Sequence, residues 1–323
     1  MKKNLIIGIL ISAVFLYLSL RGMDIGSITR GFRSVKAGYI LPVVFMLILI
    51  QALRSYRWGL ILSPIEKIDQ ASLFSVTSVG FLALLVMPAR IGELARPYLI
   101  AGKSNIKMTS ALGTIFIERI FDCLTVLAFF FVILFFVPLP AWLINSGLVF
   151  LSITLLILFW MLLLIFKREA SLALFDRVSG ILPEKWRRVM GELIHHFIDG
   201  IEMITDPRLI FHVSFLSFLI WIIDAAAIYV LFLAFGLKLS IVAAMIVMVV
   251  VVIGITLPTA PGFIGNFHFF CILGLALFGI SKSDALTYAI MLHFLSIGVI
   301  TILGLAFLPF NKFHFSDLQN RQN

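Results

Sequence analysis

Apolar residues follow one another along most of the chain without the regular polar positions of a surface helix. Runs without any charged residue lie at 4–20, 37–53, 70–89, 123–166, 239–281 and 285–311. A helix needs about 20 mainly apolar residues to cross a bilayer. The pattern therefore predicts a series of helices that lie in a membrane.

Two of these runs are longer than one span and contain prolines. The run 123–166 is interrupted at 138–140, and the run 239–281 is interrupted at 258–262. Because proline ends or kinks a helix, each run is expected to hold two helical segments. A further span, with one charged residue, is predicted at about 209–235.

Composition gives the same picture. Apolar residues make up 62% of the 323 positions and charged residues 13%, whereas a soluble domain has about 45–50% and about 25%. The net charge of +9 is assigned to Lys and Arg beside the spans, facing anionic headgroups, so no nucleic acid partner is expected. Both cysteines lie in apolar runs, which excludes a disulfide framework and a zinc cluster.

The segment 167–208 is the longest polar stretch of the chain. Basic residues cluster at 167–168 and 185–188. Apolar residues recur at helical spacing from Met190 to Ile204. This pattern predicts an amphipathic helix on the cytoplasmic membrane surface.

The distribution of positive charge predicts the topology. Most of the 25 Lys and Arg residues face the cytoplasm if 71–101 and 241–280 each enter and leave the membrane on one side. We therefore predict an all-α polytopic protein with about six full spans plus two re-entrant Pro/Gly hairpins, eight hydrophobic segments in all. Both termini are then cytoplasmic, and the localisation is the prokaryotic cytoplasmic (inner) membrane.

A short sequence pattern occurs twice. Pro88-Ala-Arg-Ile-Gly-Glu93 and Pro261-Gly-Phe-Ile-Gly-Asn266 share Pro-x-x-Ile-Gly. Each follows an apolar run and precedes another helical segment. Backbone groups freed by such turns are tolerated at membrane depth only inside protein or beside a polar cavity. A structural role in the turns is therefore assigned to Pro88, Gly92, Pro261, Gly262 and Gly265.

The repeated pattern predicts an inverted-topology repeat within a single transmembrane domain, 1–323. The first unit covers about 38–137 and the second about 209–309. Between them lie a linker span and the cytoplasmic amphipathic segment, 147–208. In transporters, such a repeat places the substrate near the midplane between the units. The alternative is a kinked packing element that binds no ligand.

Charged residues at the first turn are candidates for substrate binding. Arg90, Glu93 and Arg96 follow each other at intervals of three. Glu93 can neutralise one arginine and leave the other for an anion, and arginine binds phosphate oxygens in a bidentate manner. An internal salt bridge that only fixes the hairpin remains the alternative.

Glu118, Arg119 and Asp122 form a second charged group in an apolar segment. Glu118 and Asp122 are four residues apart and share one helix face. Arg119 can neutralise Asp122. The group either binds a headgroup or relays a proton, or it forms a closed network of ion pairs.

Isolated polar residues in other apolar segments complete the candidate site. Asp224 is expected to pair across the bundle, and Arg54, at the corresponding position of the first repeat, is its candidate partner. His268 adjoins the second turn, although a core histidine without a ligand is the alternative for it. Each is a functional hypothesis because ionisable groups are costly inside a membrane.

Four motifs in this order resemble those of the lysylphosphatidylglycerol synthase/flippase transmembrane region family. Arg54-Ser-Tyr-Arg57-Trp58 resembles R-x-x-R-W, and Arg90-Ile-Gly-Glu-Leu-Ala-Arg96 resembles R-x-G-E-x-x-R. Glu118-Arg-Ile-Phe-Asp122 resembles E-R-x-x-D, and Pro258-Thr-Ala-Pro-Gly-Phe-Ile-Gly265 resembles P-x-x-P-G-x-x-G. Where many relatives carry a carboxylate at the end of the fourth motif, this chain has Asn266 and His268.

The resemblance implies a flippase-like protein that moves an anionic phospholipid or a polyprenyl-phosphate-type lipid between leaflets. The soluble synthase domain of some members is absent from the 323 residues, so aminoacyl transfer is not expected. The alternatives are an intramembrane lipid-linked transferase and a membrane partner of a lipid or glycolipid biosynthetic enzyme. Expected partners are a membrane lipid, such an enzyme and a second copy of the chain.

No enzyme class has a recognisable motif in the sequence. A nucleotide-binding glycine loop, a nucleophile motif and metal-ligand spacing are all missing from it. We therefore expect a chain that is not an enzyme and needs no cofactor and no metal.

Overall fold

A computed structural model gives the arrangement of these segments. It describes residues 2–23, 25–167, 206–257 and 260–311, together with Gly191, Ile198 and Gly200. Within this part, every regular element is a helix, as the sequence predicted. The surface helix predicted at 167–208 falls almost entirely outside the described residues.

The described helices follow the apolar runs closely. In chain order, the α-helices are α1 (Lys2–Leu20), α2 (Ile25–Arg33), α3 (Ile40–Leu62), α4 (Gln70–Val86), α5 (Ala95–Ala101), α6 (Met108–Leu134), α7 (Ala141–Phe166), α8 (Pro207–Ala234), α9 (Ile241–Thr256), α10 (Asn266–Ala276) and α11 (Lys282–Phe307). Short 3-10 helices lie at Ala37–Tyr39, Pro88–Leu94, Pro261–Phe263 and Leu308–Asn311.

Several helices are long and apolar enough to cross a bilayer. Among the described residues, four meet both conditions: Ala37–Leu62, Ala141–Leu164, Pro207–Ala234 and Lys282–Asn311. Helix α6 has 27 residues, which reach about 40 Å, but it carries Glu118, Arg119 and Asp122. The chain is thus a membrane protein with several apolar helices, while the exact number of full spans stays a prediction.

Proline and glycine interrupt the two predicted hairpins. The first break is the 3-10 helix Pro88–Leu94, between α4 and α5. The second break, 257–265, separates α9 from α10, and its described residues are 257 and 260–265. Helix α4 packs against α5, and α9 packs against α10. With 17 and 16 residues, α4 and α9 are about 25 Å long, shorter than the hydrocarbon core of about 30 Å.

The two breaks meet inside the protein, and α1 packs beside both of them. Ser12 of α1 fixes the second break with its hydroxyl. The Ala260 N–H donates to Ser12 Oγ at 2.7 Å, and Ser12 Oγ donates to Asn266 Oδ1 at 3.4 Å. A helix outside both predicted repeat units therefore satisfies backbone and side-chain groups of the second turn.

Helix α7 begins at Ala141, earlier than the linker boundary predicted at 147. Pro140 is its N-cap, a position at which the missing N–H costs no helical hydrogen bond. The main helix contact outside the hairpins joins α3 to α8. These are the helices that the predicted repeat aligns with each other.

Gly92 and Gly265 allow close backbone approach at the breaks. A Cβ on Gly92 would overlap the backbone of Ala83 and Leu84 in α4. A Cβ on Gly265 would overlap the Ser12 carbonyl oxygen, and Gly265 also has a φ of 90°. Both breaks thus depend on residues without a side chain.

We expect Gly92→Ala and Gly265→Ala each to destabilise the protein by about 1–3 kcal/mol, because a backbone contact has to move apart. Gly298→Ala is the matched control for Gly92→Ala, since Gly298 lies in α11 and a Cβ added there would have no neighbour within 4 Å. Thermal unfolding of the detergent-solubilised variants measures the difference. Equal melting temperatures for Gly92→Ala and Gly298→Ala would contradict close packing at the first break.

Candidate functional site

The site is centred on Glu118, in the middle of α6. The Glu118 side chain is completely buried. Arg96 donates to it through two parallel bonds, Nη1 to Oε1 at 3.1 Å and Nη2 to Oε2 at 2.9 Å. Arg119 Nη2 donates to Oε1 at 2.6 Å, and Arg57 Nη2 lies 3.4 Å from the same oxygen. One carboxylate therefore holds guanidinium groups from α3, α5 and α6 together.

Asp122 lies one turn further along α6 and binds a second set of donors. Arg57 donates to both of its oxygens, at 2.7 and 3.2 Å. Trp221 Nε1 of α8 donates to Oδ1 at 3.2 Å. Arg119 Nη1 lies 3.5 Å from Oδ2. Asp122 thus ties α3 and α8 to α6.

Arg57 is a site residue that sequence reasoning missed. It is completely buried and bridges Glu118 and Asp122, while its Nη1 also donates to Ser217 Oγ at 2.7 Å. The motif R-x-x-R-W contains Arg57, but the repeat aligns Arg54 with Asp224 and therefore favours Arg54 as the site residue. The charged partners of Arg57 are more than 60 residues away in sequence, 65 for Asp122, and only the tertiary structure brings them together.

Arg96 is held in place by aromatic and glycine neighbours. Its guanidinium carbon lies 4.2 Å from the centre of the Trp58 ring, a cation–π contact. Trp58 Nε1 donates to Thr114 Oγ1 at 3.1 Å. A Cβ on Gly80 would overlap the Arg96 side chain. Arg96 therefore pairs with Glu118 and is aligned by α3 and α4 at the same time.

A narrow cleft of about 20 Å³ opens beside this network. It is lined by Gly80, Phe81, Leu84, Gly92, Glu93, Arg96, Ile115 and Arg119. The Arg119 side chain is 43% exposed, whereas the Arg96 side chain is 5% exposed. Glu93 interacts electrostatically with Arg119. The cleft thus presents a partly exposed arginine side chain at the first break.

The other charged candidates are distributed around this centre. Asp224 of α8 and Arg54 of α3 interact electrostatically, and the Arg54 guanidinium carbon lies 5.3 Å from the centre of the Phe81 ring. Arg90 lies within the 3-10 helix of the first break. Its side chain, like that of Pro88, is outside the described part of the structure.

The second break carries imidazole groups in place of charged pairs. His268 of α10 is mostly buried and faces the ring of His293 of α11 at a centroid distance of 4.8 Å. His293 Nε2 lies 2.9 Å from the Gly262 carbonyl oxygen. His268 is therefore next to the turn, as expected. His293 was not among the predicted site residues.

A larger cavity of about 540 Å³ lies at the end of the first hairpin. It is lined by Tyr98, Leu99, Ala101, Gly102, Lys103, Met108, Phe310 and Asn311. These residues come from α5 and the loop after it, the start of α6 and the end of the described chain. None of them is among the predicted site residues.

The amino-acid sequence that forms this site matches a known protein family. The family model of the lysylphosphatidylglycerol synthase TM region matches residues 5–304. The chain belongs to this family. The match covers both breaks and the Glu118 network, so these features lie within the family's transmembrane region. It confirms the predicted resemblance.

Relatives of this family member occur in archaea. A UPF0104 membrane protein of Methanothermobacter thermautotrophicus is 25% identical over 328 aligned positions, which cover 96% of each chain. A UPF0104 membrane protein of Methanocaldococcus jannaschii is 26% identical over 225 positions, 68% of this chain and 89% of the relative. Glycosyltransferase AglD of Haloferax volcanii is 21% identical over 94% of this chain, which spans 53% of AglD.

Proposed function

We propose that this membrane protein is a flippase-like translocase that moves an anionic phospholipid or a polyprenyl-phosphate-type lipid between leaflets. The observation that carries the proposal is the Arg119 side chain, which is 43% exposed in a cleft at the first break. An arginine binds phosphate oxygens well. Ionisable groups placed inside a membrane mark substrate pathways in many transporters.

The neighbouring charges give the cleft its specificity. Arg57 and Arg96 are buried and bound to carboxylates, so they position α6 and α5. Arg119 shares Glu118 and Asp122 with them and can therefore bind a phosphate without leaving either carboxylate unpaired. Arg90 on the same break is the second proposed phosphate ligand, and Glu93 is proposed to balance the charge when no lipid is bound.

The proposed topology places the two hairpins on opposite sides of the membrane as an inverted repeat. In this arrangement both termini face the cytoplasm of a prokaryotic cell. The short helices α4 and α9 support re-entrant hairpins, because neither reaches across the hydrocarbon core. Contact between the two breaks supports a substrate path at the interface of the repeat units.

Cysteine labelling tests this topology. Cys123 and Cys271 are the only cysteines in the sequence, and both are first replaced. Single cysteines at Asn105, after the first hairpin, and Ser283, at the start of α11, are then expected to react with an impermeant thiol reagent from opposite faces of oriented vesicles. Reaction of both from the same face would rule out the inverted repeat.

A second candidate function rests on the similarity to glycosyltransferase AglD. The chain matches about half of that protein. It is therefore a candidate membrane partner of an enzyme of lipid or glycolipid synthesis, or itself an intramembrane lipid-linked transferase. Formation of product from a lipid donor by the purified chain would favour the transferase.

Reconstitution into liposomes tests translocation directly. The vesicles contain a fluorescent phosphatidylglycerol or a fluorescent polyprenyl phosphate, and a reductant quenches the outer leaflet. We expect the protein to make inner-leaflet lipid accessible, and heat-unfolded protein serves as control. Quenching that stops at the outer leaflet for every anionic lipid tested would overturn the proposal.

A further inference from the structure

The second break has a different chemistry from the first. The described residues of this break, and α10 after it, carry no Asp, Glu, Lys or Arg. Two imidazoles take their place, with ring planes at 84°. Imidazole is the side chain whose charge changes between about pH 5 and 8. Two imidazoles, His268 of α10 and His293 of α11, therefore lie beside this break.

His293 holds the turn of the second break through one nitrogen. Its Nε2 is 2.9 Å from the Gly262 carbonyl oxygen, and since a carbonyl can only accept, Nε2 carries the hydrogen. In the neutral ring, Nδ1 is then the site where a proton can bind. Phe267 stacks on the same ring at 4.4 Å with planes 14° apart. The turn that His293 holds has left-handed backbone at Gly262 (φ 70°) and Phe263 (φ 57°).

His268 presents a buried nitrogen without a partner. The residue is 9% exposed, and its Nδ1 has no hydrogen-bond partner among the described residues. Buried polar atoms are usually satisfied. An unpaired ring nitrogen beside a second imidazole provides a place where a proton can bind.

The surroundings provide little charge that could compensate an imidazolium. Helices α4 and α9 and residues 8–20 of α1 contain no Asp, Glu, Lys or Arg. Glu93 and Arg90 lie on the adjoining first break, where Glu93 interacts with Arg119. Helix α3 also packs on α11, and its Arg57 is bound to Asp122. The remaining titratable groups of the helices packed here are Tyr17 of α1, Arg30 and Arg33 of α2, Arg54 and Tyr56 of α3, Arg208, His212, Asp224 and Tyr229 of α8, Cys271 of α10, and Lys282, Asp284 and Tyr288 of α11.

We propose that His268 and His293 form a proton-binding site that couples movement of the second break to lipid translocation. This inference rests on the proposed translocase function. In the present closed arrangement, an imidazolium would lie in apolar surroundings, whereas an open break would let water solvate it. A proton therefore binds the open arrangement more tightly and shifts the population towards it.

A spectroscopic measurement tests the site without any transport. Protein labelled with ¹⁵N-histidine, with His195, His196, His212 and His314 replaced by Gln, is titrated in nanodiscs. We expect His268 and His293 to titrate as a coupled pair, so that His268→Gln shifts the midpoint of His293. Two rings whose spectra do not change at any pH at which the protein stays folded, or whose titrations are independent, would overturn the site.

Transport assays test the coupling. We expect the wild-type transport rate to follow the population of the protonated, open arrangement, so that a tenfold change in this population changes the rate about tenfold. We also expect a proton gradient to drive net lipid movement. His268→Gln removes no hydrogen bond that Nδ1 makes, so it is expected to fold, and its pH profile is expected to shift together with the midpoint of His293. His212→Gln is the matched control, because His212 is exposed on α8 and its loss is expected to keep the wild-type profile.

The outcomes separate the two proposals. A His268→Gln variant with the full wild-type pH response would overturn the coupling while leaving translocation intact. If the wild-type protein moves no lipid at any pH, the translocase proposal fails and the coupling with it. A coupled titration in the nanodisc experiment would in that case still establish the proton site itself.

Discussion

Glu118→Gln is expected to cause the largest loss of stability of any single substitution in the charged network. The Glu118 carboxylate is completely buried and contacts Arg57, Arg96 and Arg119. Glutamine has nearly the same shape, so the change removes charge and little volume. Leaving buried guanidinium groups without their counter-ion costs about 3–5 kcal/mol. Folded yield and melting temperature in detergent measure the loss.

Glu66→Gln is the matched control for this experiment. Glu66 Oε2 accepts a hydrogen bond from the Asn105 N–H at 3.0 Å, and a glutamine carbonyl oxygen can accept the same bond. We expect this variant to melt close to the wild type. Similar losses for both variants would mean that the Glu118 carboxylate does not hold the network.

A double-mutant cycle identifies the partner of Glu118. With Arg96→Gln already present, Glu118→Gln is expected to cost less than in the wild type, because the two side chains share a bidentate pair. The coupling between Glu118 and Arg208, which is exposed at the start of α8, is expected to be close to zero. Additive losses for Glu118 and Arg96 would contradict the pairing.

Arg119→Gln is expected to produce the largest loss of function with the fold retained. Arg57 and Arg96 remain on Glu118 and Asp122 in this variant, so the network stays neutralised. The cleft, however, loses its partly exposed arginine side chain. We expect lipid movement per folded molecule to fall by at least about tenfold, the equivalent of about 1.4 kcal/mol, in the reductant-quenching assay.

Arg119→Lys distinguishes a phosphate ligand from a simple positive charge. Lysine keeps the charge but loses the planar fork that binds two oxygens, so an intermediate rate is expected. Arg208→Gln, which removes an exposed arginine outside the site, controls for general charge effects. A wild-type rate for Arg119→Gln, normalised to folded protein, would remove this residue from the substrate path.

Arg57 shows why the sequence predicted the region of the site but not its pairing. Prolines and glycines mark the breaks locally, and a charged residue in an apolar run is visible without a structure. The choice between Arg54 and Arg57 depends on which side of α3 faces α6, one turn of helix apart. That orientation is set by packing against α8, and a single sequence does not show how two of its helices pack.

The pairing of Arg96 illustrates the same limit. Glu93 is its near neighbour in sequence and was expected to neutralise either Arg90 or Arg96. The structure instead joins Arg96 to Glu118 across the α5–α6 contact, where Trp58 and Gly80 fix the arginine side chain. The repeat boundaries and the re-entrant topology stay predictions, since they depend on where the membrane lies.

His293 was missed for a different reason. A single histidine within a long apolar helix has the pattern of an ordinary core residue. Its partner is a backbone carbonyl, Gly262, which leaves no trace in side-chain spacing. Only the left-handed turn of the second break brings that carbonyl to the ring.

The bond between Ser12 and Ala260 has a consequence for the order of assembly. The two residues are 248 positions apart, so the long segment between them must be synthesised before the second turn can be completed. Contacts of such long range form late and slowly. The unfinished turn would then leave the Ala260 amide without an acceptor during biogenesis. We therefore infer that α1, although it is made long before the second hairpin, completes that hairpin only after α9 and the turn have been synthesised.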